Sequence, residues 1–355
     1  MFATWGVHVP SVKAHYRLGE QSLAVAMLAS GAGAVVALLQ AGRVLARHSP
    51  GRVVPAMAVI CVAAIGSLLA TAHYALLIAL MLAYGMAAAL FDVAINDEAT
   101  AIERHSGRRL MSGFHGMFSL GGMAGAAAWS VLARVGMSPA GHLVAASLAL
   151  GALALVASRF MLRDAREQGA PAPLSLPRGP LVLLGLLAAA GLVGEGAMYD
   201  WSVLYLRQEL AAPAGLASLA YASFSAAMAA GRFGGDWVRA RMRPATLLRA
   251  SGLLAAAGMA LALAVPQPFA ALAGFALVGL GFANIVPVLF SAAGQLEGIA
   301  PAHGIAAVSS MGYLGMMAGP PLIGFIAQAR SLTAGLLVVV FFAMAVATCA
   351  RRALH

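Results

Sequence analysis

The sequence predicts an all-α integral membrane protein built as two parallel six-helix halves. Three observations lead there: a regular succession of apolar stretches, a composition foreign to soluble domains, and an internal repeat. Each stretch is about 20 residues long, enough to cross a bilayer as a helix. Hydrophobic residues make up 62% of the chain and charged residues only 10%, against roughly 45–50% and 25% in soluble domains. A shift of 194 residues lays Leu120, Gly121, Met123, Ala124 and Gly125 onto Leu314, Gly315, Met317, Ala318 and Gly319. The same shift puts Gly85 on Gly279, and a shift of 189 puts Ala41-Gly42-Arg43 on Ala230-Gly231-Arg232.

Eleven full stretches are read at 22–41, 53–72, 75–96, 110–132, 141–159, 181–204, 215–236, 246–265, 268–292, 304–327 and 333–350. The first residues, Met1 to Val9, are apolar but would rise only about 14 Å as a helix before Pro10. They read as the outer half of a helix, so that a portion of segment 1 upstream of Met1 is expected and segments 2–12 follow. The expected division is an N-terminal half at 1–163, a linker at 164–179 carrying Pro171, Pro173 and Pro177, and a C-terminal half at 180–355.

The formal net charge of +10 raises nucleic acid as a partner, but the distribution of the charge argues otherwise. If the Arg351-Arg352 end is cytoplasmic, alternate loops on that side hold 17 of the 22 basic residues, and the other face has Lys13, Arg17, Arg134, Arg207 and Arg330. That is the positive-inside bias. It predicts a bacterial inner-membrane protein with a cytoplasmic C-terminus, bound to lipid and not to nucleic acid. Cys61 and Cys349 have no CxxC spacing and read as inert thiols. No phosphate-binding loop, dinucleotide fingerprint or nucleophile elbow is present, so neither an enzyme nor a cofactor is expected. The Gly121/Gly125 and Gly315/Gly319 pairs read as close-packing spacers.

Ionisable or strongly polar groups inside the membrane are costly and mark functional faces. They fall in segment 4 (Asp92, Asn96), segment 5 (His115), segment 7 (Glu195, Asp200), segment 8 (Asp236) and segment 10 (Asn284), whereas segments 3, 6, 9 and 12 have none in their middles. Those four are expected to face lipid and the others a central cavity.

The Gly42-Arg43 to Arg52 loop, Asp92-Val-Ala-Ile-Asn96, Phe114-His115-Gly116, Glu195-Gly196 with Asp200-Trp201, and Gly231-Arg232 with Gly235-Asp236 together resemble the major facilitator superfamily. Within it the chain is most similar to small bacterial permeases of the fucose-permease branch. The resemblance implies the major facilitator fold and transport by alternating access. It also implies a gating aspartate in the loop after segment 2, where this chain has Ala46; the second-half loop keeps Asp236 with Arg232 and Arg239. Gating is therefore expected to use Asp236, Arg232, Asp200 and Arg43.

Glu195 lies about 22 Å along its helix from Pro180, with no basic residue within one turn. A carboxyl so placed either loads and releases protons or stays protonated and hydrogen-bonds a neighbouring helix. Met198, Tyr199 and Ser202 share its face. Asp200 points away, near the outer end, where pairing with Arg207 or a gate role weighs equally with substrate contact, and Trp201 reads as an interfacial anchor. Asp92 and His115 meet at one level as a proton relay or a static clamp.

Asn96, Asn284 beside a kink at Pro287, Tyr313 and Trp5 supply amides, a hydroxyl and an aromatic face suited to a sugar or polyol. Proton coupling is expected at Glu195, Asp92 and His115, and substrate contact at Tyr199, Ser202, Asn96, Asn284, Tyr313 and Trp5. The expected partners are a small polar solute and protons, with the protein a monomer. No lysine or arginine is expected deep in the cavity, which speaks against anionic substrates. The alternatives are a proton-driven exporter of drugs or metabolites, and a non-transporting sensor on the same fold.

Overall fold

In a computed structural model, residues 1–106, 111–161, 178–296, 299 and 301–354 are described; the side chains of Glu103, Arg104, His115, Asp236 and a few neighbours lie outside the described residues. The elements are α1 (Phe2–His15), α2 (Glu20–Arg47), α3 (Pro50–Gly66), α4 (Tyr74–Ser106), α5 (Met111–Arg134), α6 (Pro139–Ser158), α7 (Leu181–Gln208), α8 (Ala214–Ala217), α9 (Leu219–Phe233), α10 (Gly235–Arg239), α11 (Pro244–Ala264), α12 (Pro268–Phe282), α13 (Ile285–Gly294), α14 (Pro301–Ala329) and α15 (Leu332–Ala353). No strand occurs among the described residues.

Ten helical stretches among the described residues are long and apolar enough to cross a membrane. α3 is the exception to the eleven expected, since it spans 17 residues and ends at Gly66, where Ser67 caps it. The first helix also differs from expectation. It runs through Pro10 to His15, because a proline inside a helix removes one hydrogen bond and bends the axis without necessarily ending it. The break expected near Pro287 is present. α12 ends at Phe282 and α13 starts at Ile285, one turn ahead of the proline whose missing N–H cannot bond the Ala283 carbonyl.

α2 packs on α4, and α3 on α4 and α6, while α11 packs on α12 and α15, and α14 on α7. The helices before residue 162 meet those after 177 through α5 on α9, α2 on α14 and α1 on α7. Small residues permit the close approaches. A Cβ on Gly85 would lie 1.8 Å from the Ser30 carbonyl oxygen, and one on Gly315 2.7 Å from Ala189. Gly125 approaches Ala3 of α1 closely, a Cβ there lying 3.2 Å away, and Gly319 makes ordinary contact with Val193, but Gly121 meets nothing within 4 Å, so of the four repeat glycines Gly121 is not a spacer.

The charge-poor helices turn large apolar side chains outward: Val59 on α3, Leu148 and Leu153 on α6, Leu253 on α11 and Phe341 on α15. With no water to hydrogen-bond in a bilayer core, such faces belong against lipid. Exposure does not set these four segments apart, however: α6 is 22% buried over its apolar window, but α11 is 50% buried against 28% for α4 and α5, which also turn Leu82 and Val131 outward.

Candidate functional site

α7 runs between the two groups of helices and 72% of its apolar window is buried, against 22% for α6. Its Glu195 is 8% exposed and is not alone. Arg232 Nη2, from the last turn of α9, donates to Glu195 Oε1 at 3.0 Å and Oε2 at 3.3 Å, while Nη1 donates to Ser119 Oγ of α5 at 3.1 Å. The Tyr199 hydroxyl donates to Glu195 Oε1 at 3.4 Å. The expectation of a cavity without a deep cation is thus overturned. Arg232 stands near the end of its helix, but an arginine stem spans several ångströms and turns inward here, reversing the usual snorkelling. The arginine placed with the gate by its sequence neighbours is the counter-ion of the proton candidate.

One turn further on α7, Asp200 Oδ1 accepts from Trp5 Nε1 of α1 at 3.3 Å. The pairing with Arg207 is not formed. Arg207 Nη1 instead donates to the Ala212 carbonyl at 2.7 Å, because the side chain follows the chain around the helix end. α1 can approach this closely because of Gly6, where a Cβ would lie 2.7 Å from the Tyr199 carbonyl oxygen and from the Tyr221 ring.

Trp201 is fully buried, so it is not an interfacial anchor. Its indole packs within 3.2 Å of where a Gly324 Cβ would stand on α14.

Around this pair lies a layer of aromatic rings. Tyr199 lies tilted against Tyr221 at 5.0 Å and meets Phe224 edge-on at 5.1 Å, and Phe2 bridges Tyr84 of α4 and Phe118 of α5 at 6.0 and 5.9 Å. Three buried hydroxyls in or near this layer, of Tyr84, Ser202 and Ser225, have no protein partner among the described residues. A buried hydroxyl without a partner costs about 1–3 kcal/mol. Tyr84 and Ser225 were missed by the sequence reading, because each stands alone in an apolar run.

The remaining candidates separate from this centre. Asn96 Nδ2 donates to the Asp92 carbonyl in its own helix at 2.8 Å. Asp92 lies within electrostatic reach of Tyr313 across the two helix groups, and Tyr313 is 46% exposed. Asn284 is 7% exposed and donates to the Gly231 carbonyl at 3.5 Å, which ties the α12–α13 break to α9 and leaves its amide little to offer a ligand. Arg43 is exposed and donates to Gln40 in its own helix, so it joins no other element through that bond. The relay between Asp92 and His115 and the gate at Asp236 lie outside the described residues through the side chains of His115 and Asp236.

At the face opposite the C-terminus, His8 Nε2 and His142 Nδ1 lie 2.8 Å apart, with Trp129 at 4.4 Å from the His8 ring. This contact between α1 and α6 gave no signal in sequence, its members being 134 residues apart.

Comparison with known proteins agrees with this architecture. The Major Facilitator Superfamily model matches residues 1–296. An uncharacterized MFS-type transporter of Yersinia pestis is 35% identical, covering 98% of this chain and 91% of the relative. Membrane protein MosC of Rhizobium meliloti is 33% identical, over 98% of this chain and 85% of that one. Among solved structures, a mutant of the nucleoside transporter NupG aligns with a TM-score of 0.77 at 14% identity, covering 99% of this chain and 96% of that chain. The E. coli fucose:proton symporter FucP aligns with a TM-score of 0.59 at 16% identity, with the same two coverages. The chain is a multi-pass membrane protein that belongs to the major facilitator superfamily of transporters.

Proposed function

We propose that the protein is a proton-coupled symporter of a small polar, sugar-like solute, working by alternating access around the Glu195 centre. The two rocking units are 1–163 and 180–355, joined by 164–179, in a bacterial inner membrane with the C-terminus in the cytoplasm and the chain acting as a monomer. The observation that supports this reading best is the Glu195–Arg232–Ser119 node. It sets a buried carboxyl at the seam between the two helix groups, beside aromatic faces and partnerless hydroxyls. Aromatic planes and hydroxyl-matching groups are the chemistry that holds sugars and nucleosides, and the similar folds of a nucleoside transporter and a fucose:proton symporter accord with it.

Arg232 beside the carboxyl disfavours the export of hydrophobic cations, since a guanidinium repels them at the site. In proteoliposomes with no imposed gradient, addition of the cognate solute should alkalinise the external medium. Acidification on adding a hydrophobic cation would reverse the assignment to antiport, and ligand binding without solute flux would make the protein a sensor.

A further inference from the structure

The interior cation raises a question that a proton carrier alone does not answer. A carboxyl needs no arginine to bind protons, and an ion pair sunk in a membrane protein gains little over apolar packing. Yet Arg232 is placed where it can be reached: its side chain is 19% exposed and that of Glu195 10%.

A second, independent observation lies at the face opposite the C-terminus. Of five basic residues there, three gather at the seam between α1 and α7, with Arg134 beside it. Lys13, Arg17 and Arg207 line a cleft of about 360 Å³, and Arg207 with His15 lines an adjoining one of about 460 Å³. The Arg134 stem lies beside Gly215, next to Ala214 in the wall of the second cleft. Glu20 neutralises Lys13, and Glu209 accepts from the Leu332 N–H. Arg17, Arg134 and Arg207 remain exposed and give the mouth a positive excess. The membrane face that carries fewest basic residues concentrates them at the opening between the two helix groups.

We infer that the cargo carries a single carboxylate, gathered by the cations of the mouth and received by Arg232 in exchange for Glu195. The inference rests on the symport reading above. In the empty site Arg232 is satisfied by the Glu195 carboxylate. An incoming proton converts Glu195 to its acid, and the cargo carboxylate takes the vacated guanidinium. On the other side the cargo leaves, Glu195 releases its proton, and the internal pair reforms. One proton and one anion cross together, so the cycle carries no net charge. One proton frees one guanidinium, which matches one negative charge and not the two of a phosphate monoester or dicarboxylate. Tyr84, Ser225 and Tyr199 remain for hydroxyls, so the fitting class is a hydroxylated monocarboxylate such as a hexuronate or aldonate.

The test compares labelled hexuronates and aldonates with the matching neutral sugars in proteoliposomes of the full chain. The expected result is acid uptake that follows an inward proton gradient and is unmoved by a potassium-diffusion potential. Proton-linked uptake of neutral sugars alone would overturn the inference and leave the symport reading standing. Movement of neither class by folded protein would overturn both.

The double variant R17Q/R207Q should raise KM for the acid about tenfold at low salt, an effect shrinking as ions screen the mouth, with kcat kept. The same variant in vesicles with and without phosphatidylglycerol separates cargo from lipid. A KM change seen only with the anionic lipid would assign these cations to headgroups and remove them from the account.

Discussion

The two groups of helices bring unlike chemistry to the seam they share. At the buried centre the helices after residue 177 supply Glu195, Asp200 and Arg232, and the helices before residue 162 answer two of these with neutral donors and acceptors: Trp5 Nε1 to Asp200, and Ser119 Oγ for Arg232. Burial differs in the same sense, with 72% of the α7 window and 61% of the α8–α9 window inside the protein, against 28% for α4 and for α5. The energetic lesson is that parting the two groups breaks hydrogen bonds between a charge and a neutral group, about 1.5–3 kcal/mol each. It does not part the ion pair, whose separation would cost about 3–5 kcal/mol. The pair can therefore ride within one group while the seam opens and closes.

That contrast can be broken most forcefully at Arg232. Arg232→Gln leaves Glu195 without its counter-ion and should lower stability by about 3–5 kcal/mol while abolishing transport. The double variant E195Q/R232Q should recover most of the stability, read by thermal unfolding in detergent, but none of the transport. If the double variant were as unstable as the single, the ion pair would not be the source of the loss.

A smaller effect is expected at the neutral side of the seam. Trp5→Phe keeps the ring but removes its N–H, so the Asp200 bond is lost and the face opposite the C-terminus should open more often by about ten- to a hundredfold, the equivalent of 1.5–3 kcal/mol. Spin labels at Gln21 and Ala329, near the ends of α2 and α14, would report it as a shift toward longer distances. An unchanged distribution would show that this bond does not hold the seam.

Ser119→Ala removes one of several partners of Arg232 and should raise KM about tenfold, the low end of the roughly 1.5–3 kcal/mol of a charge-to-neutral bond, since Glu195 still holds the guanidinium. Smallest is Arg43→Ala, expected to change transport less than twofold, since its described bond stays within its own helix and exposed contacts contribute little. A large loss in that variant would return a gating role to the first-half loop.

Most spans and the break before Pro287 were legible in the sequence because each depends on local hydropathy or on one residue's backbone chemistry, whereas which helices turn outward depends on packing that hydropathy alone does not report. The α7 carboxyls were legible as costly groups in an apolar run. Their partners were not, since Arg232 is 37 residues from Glu195 and Trp5 is 195 from Asp200, and only tertiary packing brings them together. One signal was available: Arg232 lies inside the apolar segment 215–236, and an arginine there implies an interior partner. Trp201 was misplaced because tryptophan near a helix end suits an interface or a packed seam equally well, and only Gly324 on a distant helix decides between them.

The central claim is that Glu195, paired with Arg232, links solute movement to the proton gradient. Proteoliposomes carrying Glu195→Gln, assayed for gradient-driven accumulation and for solute exchange across the bilayer, test it most directly. The account predicts that accumulation is lost while exchange continues, because a neutral amide imitates the protonated carboxyl and leaves alternation of the loaded carrier intact. Accumulation equal to that of the unaltered protein would contradict it.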